Sequence, residues 1–136
     1  METDTEKLYQ NYVAAWLAHD VEAVVSFFTD DCVYEDVALG VINRGKSEVR
    51  AFVQATLAAI PDFKIEPKSV FAAVNRLGSE WIMTGTQAGD FPDLPATGKS
   101  FSVQVASIME FQKGKIHRTT DYWNLASFLQ QVGAMD

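Results

Sequence analysis

The chain has 136 residues, 48% apolar and 12% aromatic, enough for one domain (residues 1–136) with a core of its own and too few for two. Its net charge of −7 and pI near 4.7 argue against a nucleic-acid or anionic-membrane partner, since both require a basic face. One cysteine, Cys32, excludes an internal disulfide, and two distant histidines, His19 and His117, argue against a resident metal.

The start of the chain, Met1 to Lys7, is polar and acidic, and no apolar run of signal length follows it. No stretch reaches the roughly 18 apolar residues a membrane span needs. A cytoplasmic protein without cofactor is expected.

Taken in order, residues 5–18 have helical spacing, with Leu8, Tyr12, Ala15 and Trp16 on one face. Asp20 has the character of an N-cap for a second helix carrying Val21, Val24, Val25 and Phe28. Thr29-Asp30-Asp31 breaks that pattern, and Val33 to Val37 reads as a short strand. A loop over 38–45 leads to a third helix, with Ser47 as N-cap, an apolar stripe from Val49 through Phe52 to Ile60, and Pro61 as its stop. Strands follow at Phe63–Val74, interrupted near Pro67, and at Glu80–Ala88, with a turn containing Gly78 between them. A long loop over 89–98 precedes strand Phe101–Phe111, a tight turn at Gln112-Lys113-Gly114, and strand Lys115–Trp123. A short helix over 124–132 ends at Gly133.

Helices first and long strands afterwards indicate an α+β fold. Along 101–111 one face carries Phe101, Val103, Val105, Met109 and Phe111, apolar throughout except at Ser107. The other carries Ser102, Gln104, Ala106, Ile108 and Glu110, small and polar near its start in the manner of a pocket wall. A sheet with this much apolar surface is expected to meet helices on one face and a partner subunit on the other, giving a homodimer.

Several segments carry a resemblance. They are Val-Tyr-Glu-Asp-Val at 33–37, Arg44-Gly45-Lys46-Ser47, Thr97-Gly98-Lys99, Gly114-Lys115-Ile116, Thr120-Asp121-Tyr122-Trp123-Asn124 and Leu129-Gln130-Gln131-Val132-Gly133. Together they resemble the SnoaL-like polyketide cyclases of the nuclear transport factor two-like superfamily, with ketosteroid isomerase as a second relative. The resemblance implies a cone, in which a curved antiparallel sheet is wrapped by N-terminal helices around an apolar pocket. It also implies a cofactor-independent acid/base enzyme acting on a hydrophobic carbonyl compound, by aldol ring closure or a double-bond shift.

Residue by residue, the isomerase comparison makes Tyr12 an oxyanion donor and Asp36 a general base. Gln104 stands where the family has a protonated Asp, and an amide N–H can still donate to an oxyanion. The cyclase comparison makes Asp121 the acid and base. Trp16, Trp81, Trp123, Phe52 and Thr119 are the expected pocket lining for a small hydrophobic ligand.

Each of these has a plainer reading as well. Asp36 can be a strand-end residue capping the next loop, Asp121 an edge partner for Arg118 or His117, and Tyr12 and the tryptophans ordinary core. A non-catalytic binding or dimeric scaffold module is the alternative function. A third, hydrolysis by an Asp-Arg-Asp cluster, would have to recruit Arg44, Arg50, Arg76 or Arg118.

Overall fold

The computed structural model describes residues 3–91 and 94–135. Helix α1 (Asp4–Leu17) starts at Thr3, whose side chain accepts from the Glu6 N–H. Asp20 caps α2 (Val21–Val25) by accepting from Ala23 N–H. Strand β1 (Phe28–Asp36) begins earlier than the sequence suggests. Thr29-Asp30-Asp31 belongs to the strand, at a register irregularity, and is not a break.

β2 (Val41–Arg44) occupies part of the expected loop, and α3 (Gly45–Ala59) follows directly. Ser47 therefore lies inside the helix, and the N-cap position is Arg44. Then come β3 (Lys64–Ala73), β4 (Arg76–Thr86), β5 (Ser100–Gln112), β6 (Lys115–Trp123) and α4 (Leu125–Gln131). The β3–β4 connection is shorter than expected, with Asn75 at φ 59°, so Gly78 is a strand residue. The β5–β6 turn is made by Lys113 and Gly114, both at positive φ, as a two-residue hairpin requires.

The described strands form one six-stranded sheet in the order β2-β1-β6-β5-β4-β3. The expectation of a purely antiparallel sheet needs one correction, because β1 and β6 run parallel. Helices cover one face: α1 packs on β3 and β4, α3 on β1 and β2, and α4 on β5. Between helices and sheet lies a core that includes Val24, Phe28, Val49, Val53, Leu77, Met109 and Ile116.

Strict alternation in β5 decides which face is which. Phe101, Val103, Val105, Ser107, Met109 and Phe111 are buried, while Ser102, Gln104, Ala106 and Ile108 are exposed. The small polar face read as a pocket wall is thus the outer face of the sheet. Gln104 belongs to it, beside Lys68, Glu80 and Tyr122 in a shallow surface groove. A residue of that parity cannot point inward without slipping the strand by one position.

β5 extends past the end of β6, whose last partner is Val105. The strand edge left open is closed by a side chain: Gln131 Oε1 accepts from Ser102 N–H at 2.7 Å, and Gln131 Nε2 donates to Ser102 O at 2.9 Å. This two-point clasp holds α4 so that Phe128 packs against Phe91, Phe101 and Trp123. Gln131→Ala should therefore cost roughly 1 kcal/mol in urea unfolding. It should also speed amide hydrogen exchange in α4 ahead of β5. Unchanged α4 exchange would mean that packing alone holds the helix.

Candidate active site

Four strands place one polar row across an otherwise apolar inner face. Asp36 on β1 is in register with Asp121 on β6, Asp121 with Ser107 on β5, and Ser107 with Ser79 on β4. All four are buried. Ser79 Oγ ends the row with no hydrogen-bond partner among the described residues.

Asp121 is the centre of this row. Its Oδ2 accepts from the Tyr34 hydroxyl at 2.6 Å, and its Oδ1 accepts from the Ser107 hydroxyl at 2.6 Å. Ser107 Oγ in turn accepts from Trp81 Nε1 at 2.9 Å. Burial pushes the Asp121 carboxyl up, the Ser107 and Tyr34 hydrogen bonds pull it back, and the nearby Asp36 charge raises it again. The outcome is a pKa raised to about 6. Burial, with the Asp121 charge next in weight, lifts the Tyr34 phenol well above its ordinary value. It therefore stays protonated and serves as a donor.

Asp36 is differently held. Both its oxygens accept from Trp123 Nε1 at 3.1 Å, and Oδ1 also accepts from Leu39 N–H at 3.0 Å. Its pKa is raised by burial and partly restored by these bonds. The plainer reading, a carboxylate capping the loop that follows, thus describes part of what Asp36 does here.

Two cavity lobes meet at Asp121. The outer lobe, about 40 Å³, is lined by Asp36, Phe52, Phe91, Trp123 and Phe128 among others. The inner lobe, about 30 Å³, is lined by Tyr9, Tyr12, Ser107, Met109 and Thr119 among others. Tyr34, Trp16, Trp81 and Asp121 border both. Each lobe has room for a few water molecules. Leu39, exposed, and Phe91, partly exposed, line the outer lobe from its loop side.

The sequence candidates therefore divide. Asp121, Asp36, Tyr12, Trp16, Trp81, Trp123, Phe52 and Thr119 all border one lobe or the other, and Gln104 does not. Tyr12 lies in the inner lobe, where burial raises its pKa far above the ordinary value.

Tyr34 and Ser107 were not among the candidates, yet each had a signal. Tyr34 alternates with Asp36 on β1, so the two share a face. Ser107 is the single polar position on the apolar face of β5. Arg50, Arg76 and Arg118 make surface pairs with Glu22, Glu110 and Glu35, and among the described residues no Arg, Lys or His lines either lobe. The hydrolase reading thus has no Arg to use. Among the described residues no three His, Cys, Asp or Glu side chains cluster as a metal site would, and no helix is long and apolar enough to cross a membrane.

Comparisons with known proteins agree with this architecture. The chain is 30% identical over 67 residues to Cyclase aurE of Calcarisporium arbuscula. That match spans about half the length of each protein, 49% in both cases. A structure from Jannaschia sp. CCS1, assigned to the SnoaL-like polyketide cyclases, superposes with a TM-score of 0.88 at 14% identity, covering 99% of this chain and 95% of that one. A protein with a ketosteroid isomerase-like fold from Catenulispora acidiphila gives 0.82 at 23% identity, covering 93% and 92%. At such identities these two structures speak to the fold. The model of the SnoaL-like polyketide cyclases matches residues 6–132, nearly the whole chain, and the protein belongs to that family.

Proposed function

We propose that this protein is a cofactor-independent cyclase that closes a ring in a hydrophobic polycarbonyl compound by internal aldol addition, with Asp121 as its acid and base. The observation that carries this reading is Asp121 itself: a buried carboxylate bordering both cavity lobes, bonded to two hydroxyls, with a pKa raised to about 6. A base with its pKa near the working pH combines an adequate ionised fraction with real basicity.

The chemistry needs only proton movements. Asp121 removes a proton from a carbon between two carbonyl groups, leaving an enolate. The enolate carbon attacks a ketone carbon of the same molecule, one C–C bond forms, and the ketone oxygen becomes an alkoxide. The protonated Asp121 returns the proton to that alkoxide. Total charge in the site stays constant at each step, which suits a cavity without a cationic side chain. Tyr34 supplies the hydroxyl that meets the enolate oxygen, in place of the Gln104 amide. The aromatic walls, Trp16, Trp81, Trp123 and Phe52, match an apolar substrate in character, and the lobes have to widen beyond their 40 and 30 Å³ to admit one. In the same reading a second copy of the chain covers the outer sheet face, where Phe71, Ile108 and Tyr122 are exposed.

An aromatic β-keto ester that also carries a ketone within reach of its acidic carbon should cyclise, with kcat/KM rising as pH passes through about 6. Asp121→Asn should lower it by about 10²–10⁴-fold, and Tyr34→Phe by less. Asp36→Asn should act mainly on KM, through the Trp123 wall. Saturable binding of the ester, with no turnover and no effect of Asp121→Asn, would make the protein a binding module instead.

Stability should move the other way. The folded-state pKa of about 6 lies above the ordinary 3.8. Stability from the neutral carboxyl is therefore fully present below about pH 4 and lost as pH rises through about 6. Relative to the non-titrating Asp121→Asn variant, wild type should lose up to roughly 3 kcal/mol between about pH 4 and pH 7.5, read by urea unfolding at each pH. A constant gap between the two proteins would show that Asp121 titrates normally.

A further inference from the structure

We infer that Trp81 and Ser107 form a positioning pair that decides which oxygen of Asp121 exchanges the proton. On this assignment Oδ1 stays occupied by Ser107, and Oδ2 works together with Tyr34. The inference rests on Asp121 being the base, and it adds two residues outside the reacting groups.

The argument is one of donor counting. An indole N–H can only donate, and Trp81 Nε1 donates to Ser107 Oγ at 2.9 Å. A serine hydroxyl has one hydrogen, and here it points to Asp121 Oδ1 at 2.6 Å. Turning that hydrogen elsewhere would leave Oδ1 without its bond and bring the Ser107 hydrogen towards the indole N–H. All three side chains are buried, so a hydrogen bond lost among them is costly. Ser107 is thus held as a donor by Trp81, and a proton arriving on Oδ1 would oppose it.

Tyr34 has a different neighbour, the Tyr12 hydroxyl, which unlike an indole N–H can accept as well as donate. Its hydroxyl donates to Oδ2 at 2.6 Å and borders both lobes. When Oδ2 takes a proton from carbon, that new O–H can donate to the Tyr34 oxygen. The Tyr34 hydrogen is then displaced and free to turn to the enolate oxygen formed in the same step. Proton uptake and oxyanion stabilisation are therefore coupled through one oxygen, and the Trp81–Ser107 pair enforces the choice.

The test reads the carboxyl group directly, without any substrate, in the full chain. With carboxyl-¹³C aspartate and ¹⁵N-indole labels, the Asp121 carboxyl and the Trp81 Nε1–H should titrate together, with one midpoint. Ser107→Ala should raise the Asp121 midpoint by about one pH unit, a tenfold change in acidity, because the charged form loses a donor. It should also remove most of the Trp81 response. Ser107→Thr should restore both. Trp81→Phe should raise the midpoint in wild type and do nothing further in the Ser107→Ala background.

An Asp121 midpoint unmoved by Ser107→Ala would overturn the inference. So would a Trp81 response that survives that substitution. Should Trp81→Phe not fold, the alanine and threonine variants with the indole signal still decide. If the titrations behave as described but no ester is cyclised, the pair stands and the cyclase reading fails. If cyclisation depends on Asp121 while the titrations are uncoupled, the reverse holds.

Discussion

The interaction on which this structure turns is the pair of short hydrogen bonds that Tyr34 and Ser107 give to Asp121. A carboxylate so deeply buried is costly, and an isolated one would simply stay neutral. Two hydroxyl donors bring its pKa back into the range where both forms are accessible near neutrality. Neither donor carries charge, so the carboxylate is tamed without being locked into an ion pair. A buried Arg partner would have held Asp121 ionised and far less basic.

The fold supplies these donors by register. Asp36, Asp121, Ser107 and Ser79 lie side by side because four strands pair without a slip at that level. The parallel contact between β1 and β6 sets Tyr34 and Asp36 beside β6, and α3 lays Phe52 over Tyr34 at a ring distance of 5.0 Å. Trp16 from α1 reaches the same place and packs on Phe63 at 5.2 Å. The site is therefore assembled from elements distant in sequence. Its precision depends on the sheet, while its walls depend on helices that only need to pack.

Much of this was legible from the chain and some was not, for identifiable reasons. Period-two alternation located the long strands and placed Asp121 with Thr119 and Trp123, because a strand allows only two faces. The same rule, applied to β5, was misread. Its polar face looked like a pocket wall, yet polar residues alternating with large apolar ones usually mark the solvent side. Gln104, which the isomerase comparison singles out, lies on that solvent side, whereas Ser107 is the one polar exception on the apolar face. A hydroxyl among large apolar neighbours must find a partner, and that need was the available signal. The early start of β1 is hidden in the sequence because Thr29-Asp30-Asp31 has turn composition and lies at the register irregularity between Phe28 and Val33.

The lining of the two lobes limits what the cavity can receive. It holds two carboxyl groups, three tryptophans and no cationic side chain among the described residues. A substrate that brought its own carboxylate would add a third negative group to a low-dielectric space with nothing to neutralise it. An uncharged carbonyl compound meets no such opposition, and its enolate appears only as Asp121 becomes neutral. In the proposed reaction the Tyr34 hydroxyl gives that enolate a hydrogen bond among mostly apolar walls. Aromatic bulk, missing cations and a carboxylate held by neutral donors thus favour the same event: moving a proton, with charge conserved, inside a mostly apolar space.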